Sequence, residues 1–182
     1  MQSILTPTHI GIEEVYGSVY SNDYEICGTA EKQYGKWMLY MTGRGESKQG
    51  RNPAECNTQK NYNVVWHTHP HVSKIYPSLV DILKVLKHST HTSIIFTQHG
   101  IWKLTCPNKY EWLKDEKYRG LISDDLEPVL NNFYVMTNNG KEISTATVNY
   151  FTTTMNTVIN TGYGIENFSV EWMGMEGLDY FH

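Results

Sequence analysis

The order of apolar and polar positions along the chain predicts alternating strands and helices. Short runs rich in β-branched and aromatic residues, bounded by turn-forming residues, are typical of strands, whereas apolar residues every three or four positions are typical of helices. These patterns predict strands at 11–20, 36–41, 64–69, 93–96, 101–104 and 168–173. They predict helices at 79–86, 110–118, 126–136 and 143–159.

The stretch that joins the third predicted strand to the first predicted helix carries the candidate chemistry. Side chains alternate along a strand, so His67 and His69 point to one side and Thr68 to the other. Ser78 suits the N-cap of the following helix, which places Asp81 in its first turn. Two imidazoles and one carboxylate are a usual ligand set for catalytic zinc, which keeps a fourth position for water. We therefore predict one zinc ion per chain, held by these three residues.

Each half of this pattern also has a purely structural explanation. Ser78-x-x-Asp81 is a capping-box variant, which stabilises a helix start with no metal nearby. A single histidine on a strand is more often an ordinary core or surface residue than a ligand. His71 extends the histidine run, but Pro70 ends the strand before it, so we place His71 in a loop near the substrate entrance. The two halves together, joined by a short loop, favour a functional site.

The pattern His67-x-His69-Pro70 followed by Ser78-x-x-Asp81 resembles the signature of the JAMM/MPN-domain (JAB-type) zinc metalloproteases. The resemblance implies that the two histidines and the aspartate bind Zn²⁺ and that Ser78 helps to stabilise the oxyanion. It also implies an α/β fold of the MPN (JAB) type, a mixed central β-sheet flanked by helices, here with additional C-terminal helices. One departure is that the segment between Pro70 and Ser78 is one residue longer than in the commonest family pattern.

Active members of that family have a Glu-x-x-Gly whose glutamate, on an early strand, acts as general base and then as general acid. Glu14, in Glu14-Val15-Tyr16-Gly17, is similar to this motif and is our candidate for the base. Glu13 is the competing candidate, because neighbouring strand residues face opposite sides and only one of the pair can point at the metal.

The resemblance implies a metallopeptidase that hydrolyses a peptide or isopeptide bond, with a deubiquitinase-like activity on ubiquitin or a ubiquitin-like protein. Two alternatives stay open, a non-catalytic scaffold of the MPN type and a RadC-like protein of uncertain chemistry. The match covers roughly the first 110 residues. We therefore predict a single domain over 1–182, with a core at about 8–107 and a helical extension at about 108–182.

Composition limits the classes of partner and the cellular location that we expect. The chain of 182 residues has a net charge of -4 and no basic patch, so nucleic acid is not expected as a partner. It has no apolar run of membrane-spanning length and no signal peptide at its start, so no membrane partner is expected. The three cysteines are widely spaced, and we predict a reduced, cytoplasmic protein without a disulfide framework. The polar segment 42–60 is a candidate specificity loop or an inert surface excursion.

Overall fold

The computed structural model describes residues 3–45, 56, 62–87 and 90–181. Its centre is a mixed sheet of seven strands in the order β1-β3-β2-β4-β5-β6-β7, which confirms the predicted α/β class at this level. The strands are β1 Ser3–Ile10, β2 Ile26–Gln33, β3 Lys36–Arg44, β4 Val64–Thr68, β5 Thr92–Thr97, β6 Gly100–Thr105 and β7 Ser169–Gly174. The α-helices are α1 Ile12–Ser21, α2 Leu79–Lys87, α3 Glu116–Met136 and α4 Thr145–Asn156.

The parallel pair β4 and β5 decides where the candidate site lies. The other neighbouring strands of the sheet run antiparallel, but two adjacent parallel strands need a crossover connection, and α2 provides it. The chain therefore leaves the end of β4, turns through 71–78 and begins α2 beside that end. As a result, the histidines and the first turn of α2 meet at one end of the sheet.

The sheet has an apolar core on each face. Trp66 and Phe96 pack with α1 on one face, whereas Ile95 and Trp102 pack with α2, α3 and α4 on the other. Neighbouring residues of a strand thus pack into opposite cores, because successive side chains of a strand point to opposite faces of the sheet. The indole Nε1 of Trp102 donates to the carbonyl of Ile75 at 2.9 Å, which ties the loop between β4 and α2 to the sheet.

The segment 11–20 is a helix, so the prediction of a strand there is wrong. Ile12, Val15 and Val19 are buried at helical spacing. Glu13 and Glu14 are exposed in the first turn of α1, where negative charge is favoured by the partial positive charge of the helix start. Both glutamates therefore have a sufficient structural role.

The other predicted elements are confirmed with shifted ends. Strands β5 and β6 form the predicted hairpin, and the turn before β3 has Tyr34 and Gly35 at φ 51° and 79°. The region 110–118 forms a short 3-10 helix and the start of α3. Strand β7 adds the C-terminal part of the chain to the same sheet. Residues 42–44 of the candidate specificity loop belong to β3, and of the rest of it only Gly45 and Cys56 are among the described residues.

Cys27 and Cys56 form a disulfide with a Cα–Cα distance of 5.9 Å, which corrects the expectation of reduced cysteines. Both residues are buried, and Cys106 is a buried free thiol. Sequence spacing gave no reason to pair two cysteines that are 29 positions apart. Within the described ranges, no helix has both the length and the apolarity needed to cross a membrane.

Candidate metal centre

Three side chains converge where β4 ends and α2 begins. The Nε2 atoms of His67 and His69 lie 3.3 Å apart, and each lies 3.1 Å from a different carboxylate oxygen of Asp81. All three residues are buried. Bonds of 2.0–2.1 Å in a tetrahedral arrangement put neighbouring ligand atoms about 3.3 Å apart. The spacing of the three predicted ligands is therefore compatible with a small tetrahedral ion, and this group could hold a metal ion.

The hydrogen bond on the far side of the His69 ring fixes which nitrogen carries the lone pair. The Nδ1 of His69 lies 3.0 Å from the carbonyl oxygen of Lys74, which can only accept, so Nδ1 holds the hydrogen. The Nε2 of neutral His69 therefore presents a lone pair to Asp81 and to His67. Acceptors that face each other in a buried site are stable only with a cation or a proton between them. Orientation of a ligand histidine by a backbone carbonyl is also the usual arrangement in metal sites.

The electrostatics of the three groups favour a cation at the same point. Burial alone would favour the neutral carboxyl of Asp81, but the neighbouring His67 and His69 outweigh it and hold the pKa of Asp81 well below its usual range. Burial likewise opposes a charge on His69, yet the hydrogen bond and charge of Asp81 outweigh it and raise the pKa of His69. The pocket thus keeps a carboxylate and attracts positive charge to the imidazoles.

Ser78 and Asp81 form a reciprocal cap at the start of α2. The Ser78 N–H donates to Asp81 Oδ2 at 2.9 Å, and the Asp81 N–H donates to Ser78 Oγ at 3.1 Å. The capping alternative is therefore confirmed, and it does not exclude ligation. The cap holds the Asp81 carboxylate by its backbone partner and aims it at the histidines, so one pair of residues serves both purposes.

A carboxylate that the sequence reasoning missed, Glu25, lies beside the ligands. Strand β2 pairs antiparallel with β4 so that Cys27 is opposite His67. Glu25 lies directly before β2, and it lines the same cavity as His69 and Asp81. Burial, together with the charge of Asp81, raises the pKa of Glu25 against the opposing effect of the two histidines.

The Glu25 carboxylate is also held by the disulfide. The backbone N–H of Cys56 donates to Glu25 Oε1 at 3.2 Å. The sulfur of Cys56 is bonded to that of Cys27, which lies in β2 two residues after Glu25. The backbone carbonyl of Glu25 accepts from Gly45 at 2.8 Å. Both the backbone and the carboxylate of Glu25 are therefore fixed by the ends of the 42–60 segment.

The structure does not bring the predicted base, Glu14, to this group. Glu14 and its competitor Glu13 are exposed on α1 and, among the described residues, do not line the cavity that adjoins the ligands. His71 is exposed in the loop after β4, as predicted, and its N–H donates to the carbonyl of Val19 at 2.9 Å. The signal for Glu25 was present, because Glu25-Ile26-Cys27-Gly28 is a second Glu-x-x-Gly.

The glycines of the two Glu-x-x-Gly sequences, Gly17 and Gly28, differ in how closely other atoms surround them. This difference allows a test of whether close strand packing requires glycine at position 28. A Cβ on Gly28 would lie 1.7 Å from the carbonyl oxygen of Tyr40, so Gly28→Ala should lower the free energy of unfolding by at least about 1–3 kcal/mol. Among the described residues, Gly17 has no atom from outside its own helical turn within 4 Å of that position, so Gly17→Ala should raise the free energy of unfolding by about 0.5–1 kcal/mol. Urea denaturation of both variants measures these changes. Equal effects would show that close strand packing does not explain Gly28.

A cavity of about 370 Å³ opens beside the metal ligands. Its lining includes His69, Asp81, Ser78 and Glu25. The loop after β4, the first turns of α2, helix α3 and the turn at 137–141 supply the other lining residues, and α3 and this turn belong to the part of the chain beyond residue 107. A cavity of this size can take a few amino-acid residues of an extended chain.

The chain matches no protein-family model, no curated protein and no solved structure. Function is therefore inferred from the geometry and chemistry of the site.

Proposed function

We propose that this chain is a zinc-dependent metallopeptidase of the JAMM/MPN type that hydrolyses a peptide or isopeptide bond, with ubiquitin or a ubiquitin-like protein as the first substrates to test. The observation that carries the proposal is the convergence of two imidazole nitrogens and a carboxylate at 3.1–3.3 Å. The three-ligand set leaves a coordination position open, which distinguishes catalytic from structural zinc sites. The cavity that ends at this group supports access of a substrate.

We propose that His67, His69 and Asp81, the three residues predicted from the sequence, hold one zinc ion. Zinc in such a site supplies a Lewis acid that acidifies water and polarises a carbonyl oxygen. The carbonyl of Lys74 orients His69, and the cap from Ser78 orients Asp81, so each of these two ligands has a fixed partner outside the metal. Such partners increase metal affinity by restricting the ligands before binding.

We assign the general base to Glu25 and withdraw the proposal for Glu14. The Glu25 carboxylate accepts a proton from the attacking water and delivers it to the leaving amine. Burial raises the pKa of Glu25 from the ordinary carboxyl value, which is the direction that brings a general base closer to the operating pH. The N–H of Cys56 occupies Oε1, so Oε2 is the oxygen that remains for the transferred proton.

Ser78 is proposed to stabilise the oxyanion. Its Oγ accepts one hydrogen bond from the N–H of Asp81, which leaves the hydroxyl hydrogen free to donate. Ser78 is half-buried and lines the cavity at the ligands, so this donor can face a bound carbonyl oxygen. Fixed donors of this kind act on the charge that develops in the transition state.

Metal analysis and a cleavage assay together test the proposal. Purified protein reconstituted with zinc should retain about one equivalent per chain after dialysis. It should cleave at least one of a panel of ubiquitin chains of defined linkage or unfolded peptides. A chelator should abolish cleavage and added zinc should restore it. Failure to bind zinc would rule out the enzyme, and zinc binding without any cleavage would favour the scaffold alternative.

A further inference from the structure

The cavity beside the ligands has an unusual balance of charge. Three lysines and three carboxylates line it. They are Lys74, Lys84, Lys141, Glu25, Asp81 and Glu127. The fixed charges therefore cancel, and a divalent cation at the ligands leaves the loaded cavity with net positive charge. A cavity of that sign concentrates anionic ligands.

Lys74 has a position that is fixed relative to the metal ligands. Its carbonyl accepts the hydrogen bond from His69, and its methylene groups lie against Gly140, where an added Cβ would approach them at 2.9–3.2 Å. Its ammonium lies 5.1 Å from the ring centroid of Tyr134 on α3. The stem and head of Lys74 are therefore both held, and the cationic group is presented in the cavity.

Lys141 also contacts the loop between β4 and α2, to which Lys74 belongs. Its ammonium donates to the carbonyl of Ser73 at 2.9 Å and to the carbonyl of Val72. Burial and, to a smaller extent, the charge of Lys74 lower the pKa of Lys141, and both lysines line the cavity. Among the described residues, neither lysine forms an ion pair with a carboxylate. Two adjacent cations without an acidic partner are stabilised by an anion from outside the protein.

We propose that the cavity binds a carboxylate of the substrate at the Lys74 ammonium, next to the bond that is cleaved, and that Lys74 determines specificity. This inference rests on the proposed peptidase function, which makes the carboxylate part of a peptide substrate. The binding of the carboxylate itself can be measured without turnover. The carboxylate can be the side chain of Asp or Glu or the free carboxyl end of a peptide. These two sources share one chemistry and are separated by the choice of probe.

Calorimetric titration of the zinc-loaded protein tests the binding step. The probes are N-acetylglutamine, which carries only the α-carboxylate, and the α-amide of N-acetylglutamate, which carries only the side-chain carboxylate. Hydrogen bonds to a charged partner are worth enough that Lys74→Met should weaken the preferred probe by about 10- to 100-fold. Lys74→Arg should restore most of the binding, because it keeps the charge. Lys117→Met, which removes an exposed lysine outside the cavity lining, is the matched control and should bind as the unmodified protein does.

Equal binding of both probes by Lys74→Met and by the unmodified protein would overturn the inference, because zinc alone would then hold the carboxylate. Zinc content, measured in each variant, confirms that the metal site is intact. Methionine keeps the Cβ and Cγ methylene groups that lie against Gly140 and has its sulfur in the place of Cδ, so the variant retains most of that packing.

Cleavage of a peptide library by the zinc-loaded protein gives a second, independent readout. We expect cleavage sites enriched in Asp or Glu on one side of the cut, or cuts close to a free carboxyl end that disappear when the peptides are amidated. Lys74→Met should lose this preference. Cleavage without any preference overturns the inference and leaves the peptidase proposal standing. A third outcome is that the zinc-loaded protein binds a probe through Lys74 but cleaves no peptide. That outcome contradicts the peptidase proposal and supports the carboxylate site.

Discussion

Glu25→Gln should reduce turnover by about 100- to 10,000-fold and leave zinc bound, because a positioned general base contributes rate enhancement of this size. The amide is nearly isosteric with the carboxylate and can still accept the hydrogen bond from the N–H of Cys56, so the local structure is preserved. It cannot take up the proton of the attacking water. The measurement is kcat on a substrate that the unmodified protein cleaves, together with zinc content.

Glu14→Gln is the matched control, since it makes the same substitution in the other Glu-x-x-Gly. Glu14 is exposed on α1, so its replacement should leave both kcat and zinc content unchanged. The opposite outcome, loss of activity in Glu14→Gln with normal activity in Glu25→Gln, would return the base to the residue that the sequence alone suggested.

His69→Ala should weaken zinc binding by more than about 100-fold and abolish turnover. Changes to residues that merely orient a ligand cost 10- to 100-fold in affinity, and removal of a ligand must cost more. The substitution also removes one of the three lone-pair donors and leaves the carbonyl of Lys74 without its imidazole partner. Competition with a chromophoric chelator measures the affinity.

His71→Ala provides the comparison within the same His-x-His-x-His run. His71 is exposed, and its contact with α1 is made by its backbone N–H, so the side chain can be removed without loss of that bond. Zinc affinity should stay within a factor of about two of the unmodified value, since surface substitutions change free energies by less than about 0.5 kcal/mol. Similar losses in both variants would mean that the ligands have been assigned wrongly.

The ligand set could be proposed from the sequence because its geometry is local. Alternation along a strand puts His67 and His69 on one side, and a helix cap puts Asp81 within one turn of Ser78. Each relation spans two or three residues and needs no knowledge of the rest of the fold. The structure shows both relations, with His67 and His69 at 3.3 Å and the cap at 2.9 and 3.1 Å.

The strand predicted at 11–20, which led to the choice of Glu14 as candidate base, is the helix α1 in the structure. Ile12, Val15, Tyr16 and Val19 recur at helical spacing, but the segment was interpreted as a strand because it is rich in Val, Ile and Tyr. A strand made Glu14 a plausible neighbour of the metal. In the helix, the same pattern buries the apolar residues and leaves Glu14 in solvent.

The sequence by itself determined most elements from residue 36 onward, the two histidines on one strand face and the capped aspartate, because hydrophobic period and capping act between near neighbours. It did not predict β1 and β2, and it gave the wrong type for α1. Tertiary structure decided the rest. The fold brings Glu25, and not Glu14, to the cavity that His69 and Asp81 line. The Cys56 N–H, next to the disulfide with Cys27, donates to the Glu25 carboxylate, and residues of α3 and of the turn at 137–141 line the same cavity. These contacts join residues that are distant along the chain. They depend on the register of strands and the packing of helices, which local patterns do not specify.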